Sequence, residues 1–559
     1  MQYGVLFILA VVVFLPKLGD RQIVTSHEAR VAQTARQMAA SGWPWNAKWI
    51  AVPPVKLGTE AGGIKRLQPQ WTQPPIWVNP WLIPVLSGQI RLQKPPLPYW
   101  CAAVLYRMAG VPWSERLTRL IPALLAVFGT LILFDLVHLT MGRTVACCAA
   151  VMWVSTYFIA EQFRLAMADP YLAFCTLACL WMWVRASLAT RQLIPLKLFY
   201  FFLALGVLAK GPVIFIPLGT GIIAYHICLK RPWPRSIAGH SLGSLVVVIL
   251  VLPWVWYVWR HVPNVGEVWR YESLGELPGS DNVEKPRPVW FYLPYLFLIT
   301  LPWTLISIAG IVFCWVRRRR RVPLFPLCWY AATVLFFSLL PVKKNTYLLP
   351  IMPAQVMIGA VGLAALIGTV RRLPHKAMLA WVQAGIGIAG GVTAIVLAAK
   401  VHQIMAFVLA ALSLASACGA LAELRAHQGR LWMWRQTIAY ILAIVVIFDF
   451  FNAQRDNQRS AQPVCQELIT LMQQTGQTLA PGHVPEEAAL YLPLDLPLNR
   501  DATSMLAIVD DPKNQKQPIP VDFADRVPWR KIVAVQRVPM NSAPDNARWK
   551  VYRLQLAGD

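Results

Sequence analysis

The sequence predicts an all-α polytopic membrane protein of about thirteen transmembrane helices followed by a small α/β domain. Three observations carry that prediction. Of 559 residues, 57% are hydrophobic and only 14% charged, with a mean hydropathy of +0.49; soluble proteins carry about 25% charged residues. Apolar stretches of bilayer length recur as far as Asn452. Beyond Asn452 the composition turns polar. The expected division is therefore residues 1–452 for the membrane domain and 453–559 for an extracytoplasmic α/β domain.

A span needs roughly 17–25 apolar residues. The first, at 2–18, has no basic leader and no small-residue cleavage site, so it reads as a retained span and not as a removed signal peptide. A long connection follows, residues 19–115, which is expected to carry surface helices. In it, Thr25-Ser26-His27-Glu28 fits a capping box, and Val31, Ala35, Met38 and Ala39 share one helical face before a stop at Gly42. Residues 26–41 are expected as an amphipathic helix on the membrane surface. Glu28 then has a plain role as a cap, and Arg30 as its ion partner or a lipid contact. "IRLQKPPLPYW" next holds Lys94 on a stiff extended segment before two prolines, with Tyr99 and Trp100 as interface anchors.

Further spans are expected near 116–138, 144–160, 168–187, 197–210, 211–229, 239–259, 289–314, 323–341, 346–368, 377–399, 403–422 and 436–452. In the tail, "KIVAVQRVP" and "WKVYRLQL" alternate as strands do, and "CQELITLMQQTG" reads as a helix stopped by glycine. Most of the ten cysteines lie in apolar segments, where a thiol is a small apolar side chain. Cys175 and Cys179 share a helix face for packing.

The net charge of +26 does not point to nucleic acid, because the basic residues sit mainly between apolar segments. Sorting the connections alternately separates them cleanly. One set is short and basic: Arg143; Arg191 and Lys197; Lys230, Arg231 and Arg235; Arg317 to Arg321; Arg371, Arg372 and Lys376; Arg425, Arg430 and Arg435. The other holds nearly all the Asp and Glu. The positive-inside rule makes the first set cytoplasmic, which puts the N-terminus inside and the first loop and tail outside.

The outward lysines then need a reason. Lys210 is simply read as snorkelling to the interface. The pair Lys343-Lys344, beside Tyr347 and between prolines, is read as a phosphate site, since Lys binds phosphate as a point charge. In "EQFRLAMADPYLAF", Glu161, Arg164 and Asp169 share a short turn at the outer face. Asp169 before Pro170 suits a helix start, but an ionisable residue at membrane depth is also a functional candidate.

Taken in order, "SHEARVAQTARQMAASG", "RLQKPPLPYW", "RLAMADPYLAF", "LAKGPVIFIPLG" and "PVKKNTYLLPIMPA" resemble the bacterial lipid A aminoarabinose transferases and related polyprenyl-phosphate-sugar glycosyltransferases, kin of the protein O-mannosyltransferases. The resemblance covers roughly residues 1–365. It implies a GT-C fold in the bacterial cytoplasmic membrane and transfer of a sugar from a polyprenyl (undecaprenyl) phosphate carrier to lipid A, a glycan or a protein, with inversion at the anomeric carbon. Glu28 falls at the Glu of the family's Asp-Glu pair and Asp169 at its second-loop carboxylate. Lys94 matches the Lys of the Lys-Pro-Pro motif, and Lys343 and Lys344 the basic pair.

Two positions depart from the pattern. His27 stands where the family has Asp, and Gln93 where Glu often precedes the Lys. A divalent metal is the one cofactor the resemblance leaves open. The expected roles are donor-phosphate binding by Lys94, Lys343, Lys344, Arg30, Arg164 and Tyr347, and proton transfer by Asp169 first, then Glu28, then His27. A flippase for lipid-linked sugars would instead place charges inside spans and show repeat symmetry; the charges here gather at one face. A non-catalytic assembly scaffold would have lost Asp169 or Lys94, and both are present.

Overall fold

In a computed structural model the chain is described over residues 2–59, 65–70, 73–274, 287–372, 377–479, 484–494, 504–510, 532–540 and 549–556. Its helices are α1 (Gln2–Phe14), α2 (Ser26–Ser41), α3 (Leu97–Ala109), α4 (Glu115–Met141), α5 (Arg143–Val154), α6 (Tyr157–Phe163), α7 (Ala168–Leu188), α8 (Leu193–Lys210), α9 (Phe215–Leu229), α10 (Ile237–His261) and α11 (Val265–Leu274). They continue with α12 (Tyr292–Leu298), α13 (Thr304–Val316), α14 (Leu324–Leu339), α15 (Met352–Arg372), α16 (Met378–Val401), α17 (Ile404–Arg425), α18 (Gly429–Val445), α19 (Ala453–Arg459), α20 (Gln462–Thr475) and α21 (Glu486–Ala489).

Among the described residues eight helical stretches are long and apolar enough to cross a bilayer, nine if the bent pair α5–α6 is counted as one span, and four shorter apolar helices accompany them. The sequence led to an expectation of about thirteen. The difference arises because α8 and α9 run together as one apolar stretch from Leu193 to Leu229, and because α1, α13 and α14 fall short of full bilayer length. Lipid is the outer solvent. Along α10, Leu242, Leu245, Val248, Ile249, Leu252 and Trp256 are all exposed, an apolar surface too large for a protein in water. Helix α7 is the opposite case: it is buried nearly all round and forms the centre of the bundle.

The 61° bend between α5 and α6 has a local cause. Ser155 and Thr156 turn their hydroxyls back onto the carbonyls of Val151 and Met152, which competes with the helix ladder. The Trp303 indole N–H donates to Ser155 Oγ at 2.9 Å, and the freed Tyr157 N–H donates to the Leu301 carbonyl at 3.0 Å. Elsewhere small residues let helices approach closely: a Cβ on Gly362 of α15 would sit 2.7 Å from the Ile306 carbonyl oxygen of α13.

The long first connection folds over the bundle. Helix α2 spans the residues expected, with Thr25 as N-cap, accepting from the Glu28 N–H at 3.4 Å, and Gly42 at φ +117° after its end. It is not a helix resting on a lipid surface, however. Most of it is buried, against α3 on one side and against α21 of the tail on another. The second half of the expected capping box does not form, because the Glu28 carboxylate turns to Arg119. Short antiparallel pairs complete the loop: β1 (Ile50–Val52) with β4 (Ile76–Val78), β2 (Val55–Thr59) with β3 (Lys65–Pro69), and β5 (Val85–Leu86) with β6 (Gln89–Ile90).

After Asn452 come α19, α20 with Gly476 in the left-handed region at φ +67°, α21, and a four-stranded sheet. Its strands β7 (Thr478–Leu479), β8 (Ser504–Asp510), β9 (Ile532–Val538) and β10 (Trp549–Leu556) lie in the order β7-β8-β10-β9. Strand β10 runs antiparallel to both neighbours, pairing Val551 with Ile508 and with Val538. Both strands and the helix expected in the tail are present. They enclose their own core of Val464, Cys465, Leu468, Ile508, Trp549 and Val551.

Candidate active site

A narrow cleft lies beneath α2, where the first loop meets the mouth of the bundle. It is lined by His27, Arg30, Arg91, Lys94, Tyr99, Met167, Ala168 and Asp169 with Val31 and Pro98. Three elements bring these residues together. Helix α2 supplies His27, Arg30 and Val31 from its first two turns. The rigid segment before α3 supplies Arg91 and Lys94, with Arg91 Nε donating to Tyr99 Oη at 3.5 Å. The start of α7 supplies Asp169, which is 3% exposed.

Asp169 is the one acidic residue among those lining the cleft, set against Arg30, Arg91 and Lys94. Its Oδ1 accepts from Lys210 Nζ at 2.5 Å. Lys210, at the last turn of α8, also lies over the Tyr347 ring, 4.9 Å from its centroid. Lys210 therefore does not simply snorkel; it is held between a carboxylate and an aromatic face. The available signal was its place at the end of an apolar run, directly before Gly211-Pro212, but its partner lies 41 residues away.

The His27 ring is exposed at the cleft mouth. Its pKa is pushed down to about 4, first by partial burial and then by the charges of Lys94, Arg30 and Lys344, against the opposing pull of Asp169. An imidazole with that pKa is neutral at pH 7, the form that can accept a proton, and is about as weak a base as an ordinary carboxylate. The same charges place Lys344 within electrostatic reach of the cleft.

Three expected site residues are elsewhere. Glu28 is 1% exposed and clamps Arg119 with both oxygens, Nε at 2.8 Å and Nη2 at 3.0 Å, while its Oε1 also accepts the Ala166 N–H at 2.9 Å. Burial alone would raise its pKa, but the Arg119 guanidinium holds it below the usual carboxylate value. Arg119 Nη1 donates to the carbonyls of Leu18 and Arg21. The pair thus ties the turn after α1, α2, α4 and the loop before α7 to one point, and both Glu28 oxygens are buried and engaged there. Arg119 was not recognised in the sequence, although an Arg entering a span is a functional suspect.

Arg164 is likewise turned inward, paired with Asp449 and donating to the Pro16 carbonyl at 2.8 Å. Lys343 is 2% exposed; its ammonium donates to the carbonyls of Arg287, at 2.9 Å, and Leu340. Neighbours on extended backbone face opposite ways, so Lys343 points in and Lys344 is half-exposed. Among the described residues no three His, Cys, Asp or Glu side chains gather as metal ligands.

Comparison with known proteins can now be set beside this geometry. The crystal structure of ArnT from Cupriavidus metallidurans bound to undecaprenyl phosphate superposes with a TM-score of 0.69, covering 99% of this chain and 98% of that one at 17% identity. The chain has the GT-C fold. Residues 93–257, which include Lys94, Asp169 and Lys210, match the family described as dolichyl-phosphate-mannose-protein mannosyltransferase. An uncharacterised protein of Aquifex aeolicus is 30% identical over 287 residues, 50% of this chain and 54% of its own length. An undecaprenyl phosphate-α-4-amino-4-deoxy-L-arabinose arabinosyl transferase of Proteus mirabilis is 27% identical over 295 residues, 50% of this chain and 51% of its own. The chain spans about half the length of the curated relatives it matches. The GT-C bundle, with the large first loop folded over its mouth, is the architecture that the motifs implied.

Proposed function

We propose that this chain is an integral-membrane glycosyltransferase. It takes a sugar from a polyprenyl phosphate carrier and passes it to lipid A, a glycan or a protein on the outer side of the bacterial cytoplasmic membrane. The observation that carries the reading is the cationic cleft itself, in which Arg30, Arg91 and Lys94 surround the ion-paired Asp169 at the bilayer edge. Support comes from the arabinosyl transferase relative and from an undecaprenyl phosphate-bound neighbour of the same fold.

In the reaction, the bond from the anomeric carbon to the carrier phosphate oxygen breaks while a bond to the acceptor oxygen forms on the opposite face. Configuration inverts, and the carrier leaves as polyprenyl phosphate. Charge develops on that leaving phosphate, so Lys94 and Arg30, with Lys344 nearby, are assigned to neutralise it. A hydroxyl acceptor must lose a proton, and Asp169 is the carboxylate positioned to take it. A phosphate acceptor needs no base, and Asp169 with Lys210 would then orient the reacting groups. Residues 1–452 carry this chemistry and residues 453–559 form the extracytoplasmic domain, with the N-terminus in the cytoplasm.

The test is sugar release from a radiolabelled polyprenyl-phosphate sugar by purified protein in native lipid. Wild type should turn over, whereas Asp169→Asn and Lys94→Ala should each lose at least a hundredfold with folding intact. Binding of the carrier lipid without turnover in wild type would overturn the reading in favour of a flippase.

A further inference from the structure

A second cleft opens between the end of α1, the α16–α17 turn and the turn leading into α19. It encloses about 420 Å³ and is lined by Lys17, Asp20, Gln403, Asp449, Phe450 and Gln458, among others. That volume lies within the roughly 300–1,000 Å³ typical of small-molecule sites. The wall carrying Asp449 and Phe450 is a π-helical turn, Val446–Asn452, a feature that recurs at functional sites. Behind the wall, Arg164 is 6% exposed and its Nη1 is without a hydrogen-bond partner among the described residues.

The lining is polar but balanced. Lys17 faces Asp20 at 3.7 Å, and Asp449 is paired with Arg164. With no surplus of positive charge, the cleft is not built for a free phosphate. What it offers are the side-chain amides of Gln403, Gln454 and Gln458; the Phe450 ring is buried and covered by the Lys17 ammonium at 3.9 Å. An amide donates and accepts side by side, which matches adjacent sugar hydroxyls. At the mouth, α17 begins with Ile404 and Met405, 84% and 60% exposed, in a helix that faces lipid. A polar cleft beside a lipid-facing wall fits an amphiphile.

We infer that this cleft is the acceptor's headgroup subsite and takes the saccharide of a glycolipid, its acyl chains lying along α17; the inference rests on the transferase reading. One stretch of chain links it to the cationic cleft. Arg164 is held by the Asp449 wall, the Ala166 N–H by Glu28, and Asp169 faces the reaction.

The experiment uses full-length protein in nanodiscs, with lipid A as the glycolipid probe, phosphatidylglycerol as a sugar-free lipid and undecaprenyl phosphate as the carrier probe. Gln403→Ala/Gln458→Ala, both at exposed positions, should weaken lipid A binding at least tenfold and leave undecaprenyl phosphate binding unchanged. Lys94→Ala should do the reverse. Unaltered lipid A binding in the double variant, or equally tight phosphatidylglycerol binding to wild type, overturns the subsite alone. Failure of wild type to bind undecaprenyl phosphate overturns the transferase reading beneath it.

Discussion

Glu28 and His27 are neighbours in sequence with opposite fates. Glu28 holds a buried Arg119, and removing one partner of such a pair costs about 3–5 kcal/mol because the other charge is left unpaired. Glu28→Gln should therefore lower the thermal midpoint markedly, and Glu28→Gln/Arg119→Met should recover part of the loss; a thermal scan in detergent of the two variants decides this. His27 is governed by its depressed pKa of about 4, against about 6.5 in the unfolded chain. Between those values the unfolded state binds the proton and the folded state does not. Its contribution is complete above pH ~6.5 and declines as the pH falls toward 4. His27→Gln should make stability less dependent on pH across that window, and a series of thermal midpoints at fixed salt would reveal it.

What local sequence encodes was legible at this scale, and what the bundle decides was not. Thr25, Glu28 and Gly42 announced α2 because caps and stops act within four residues. Lys343 and Lys344 are the same residue type in the same motif, and their opposite directions depend on which carbonyls the fold places nearby. The Arg119–Glu28 pair joins positions 91 residues apart, far outside the reach of any periodicity.

Among elements, α2 matters most because it carries three cleft residues, His27, Arg30 and Val31, without being part of the bundle. The tail restrains it: Arg36 Nη1 donates to the carbonyls of Leu490 and Leu492 at 2.8 Å each, and Tyr491 Oη donates to Gln22 Oε1 at 2.8 Å and stacks edge-on with Trp113. Arg36→Ala should raise amide exchange across Ser26–Ser41 and reduce turnover severalfold, while exchange in α7 stays as in wild type. Helices α13 and α15 offer a contrasting case of close approach. Gly362→Val would force its side chain into the Ile306 carbonyl and should destabilise by about 1–3 kcal/mol, measurable as a lower thermal midpoint and poorer recovery from the membrane.

At the scale of the whole molecule, the charge sorting that separated the connections also predicts their sides. Arg430→Cys should be shielded from an impermeant thiol reagent applied to intact spheroplasts, and Gln458→Cys should react; the opposite pattern would invert the topology. The fold class was legible because lipid imposes one rule on every apolar span, whereas the number of full-length spans depended on helix breaks such as the one at Ser155-Thr156.

The hold of the tail on α2 has a consequence in time. Arg36 and Leu490 are separated by 454 residues, and at about 5–20 residues per second of synthesis the helix emerges roughly half a minute to a minute and a half before its clasp exists. A ribosome stalled just past Asn452 leaves a protein whose bundle is made but whose first loop is unfastened.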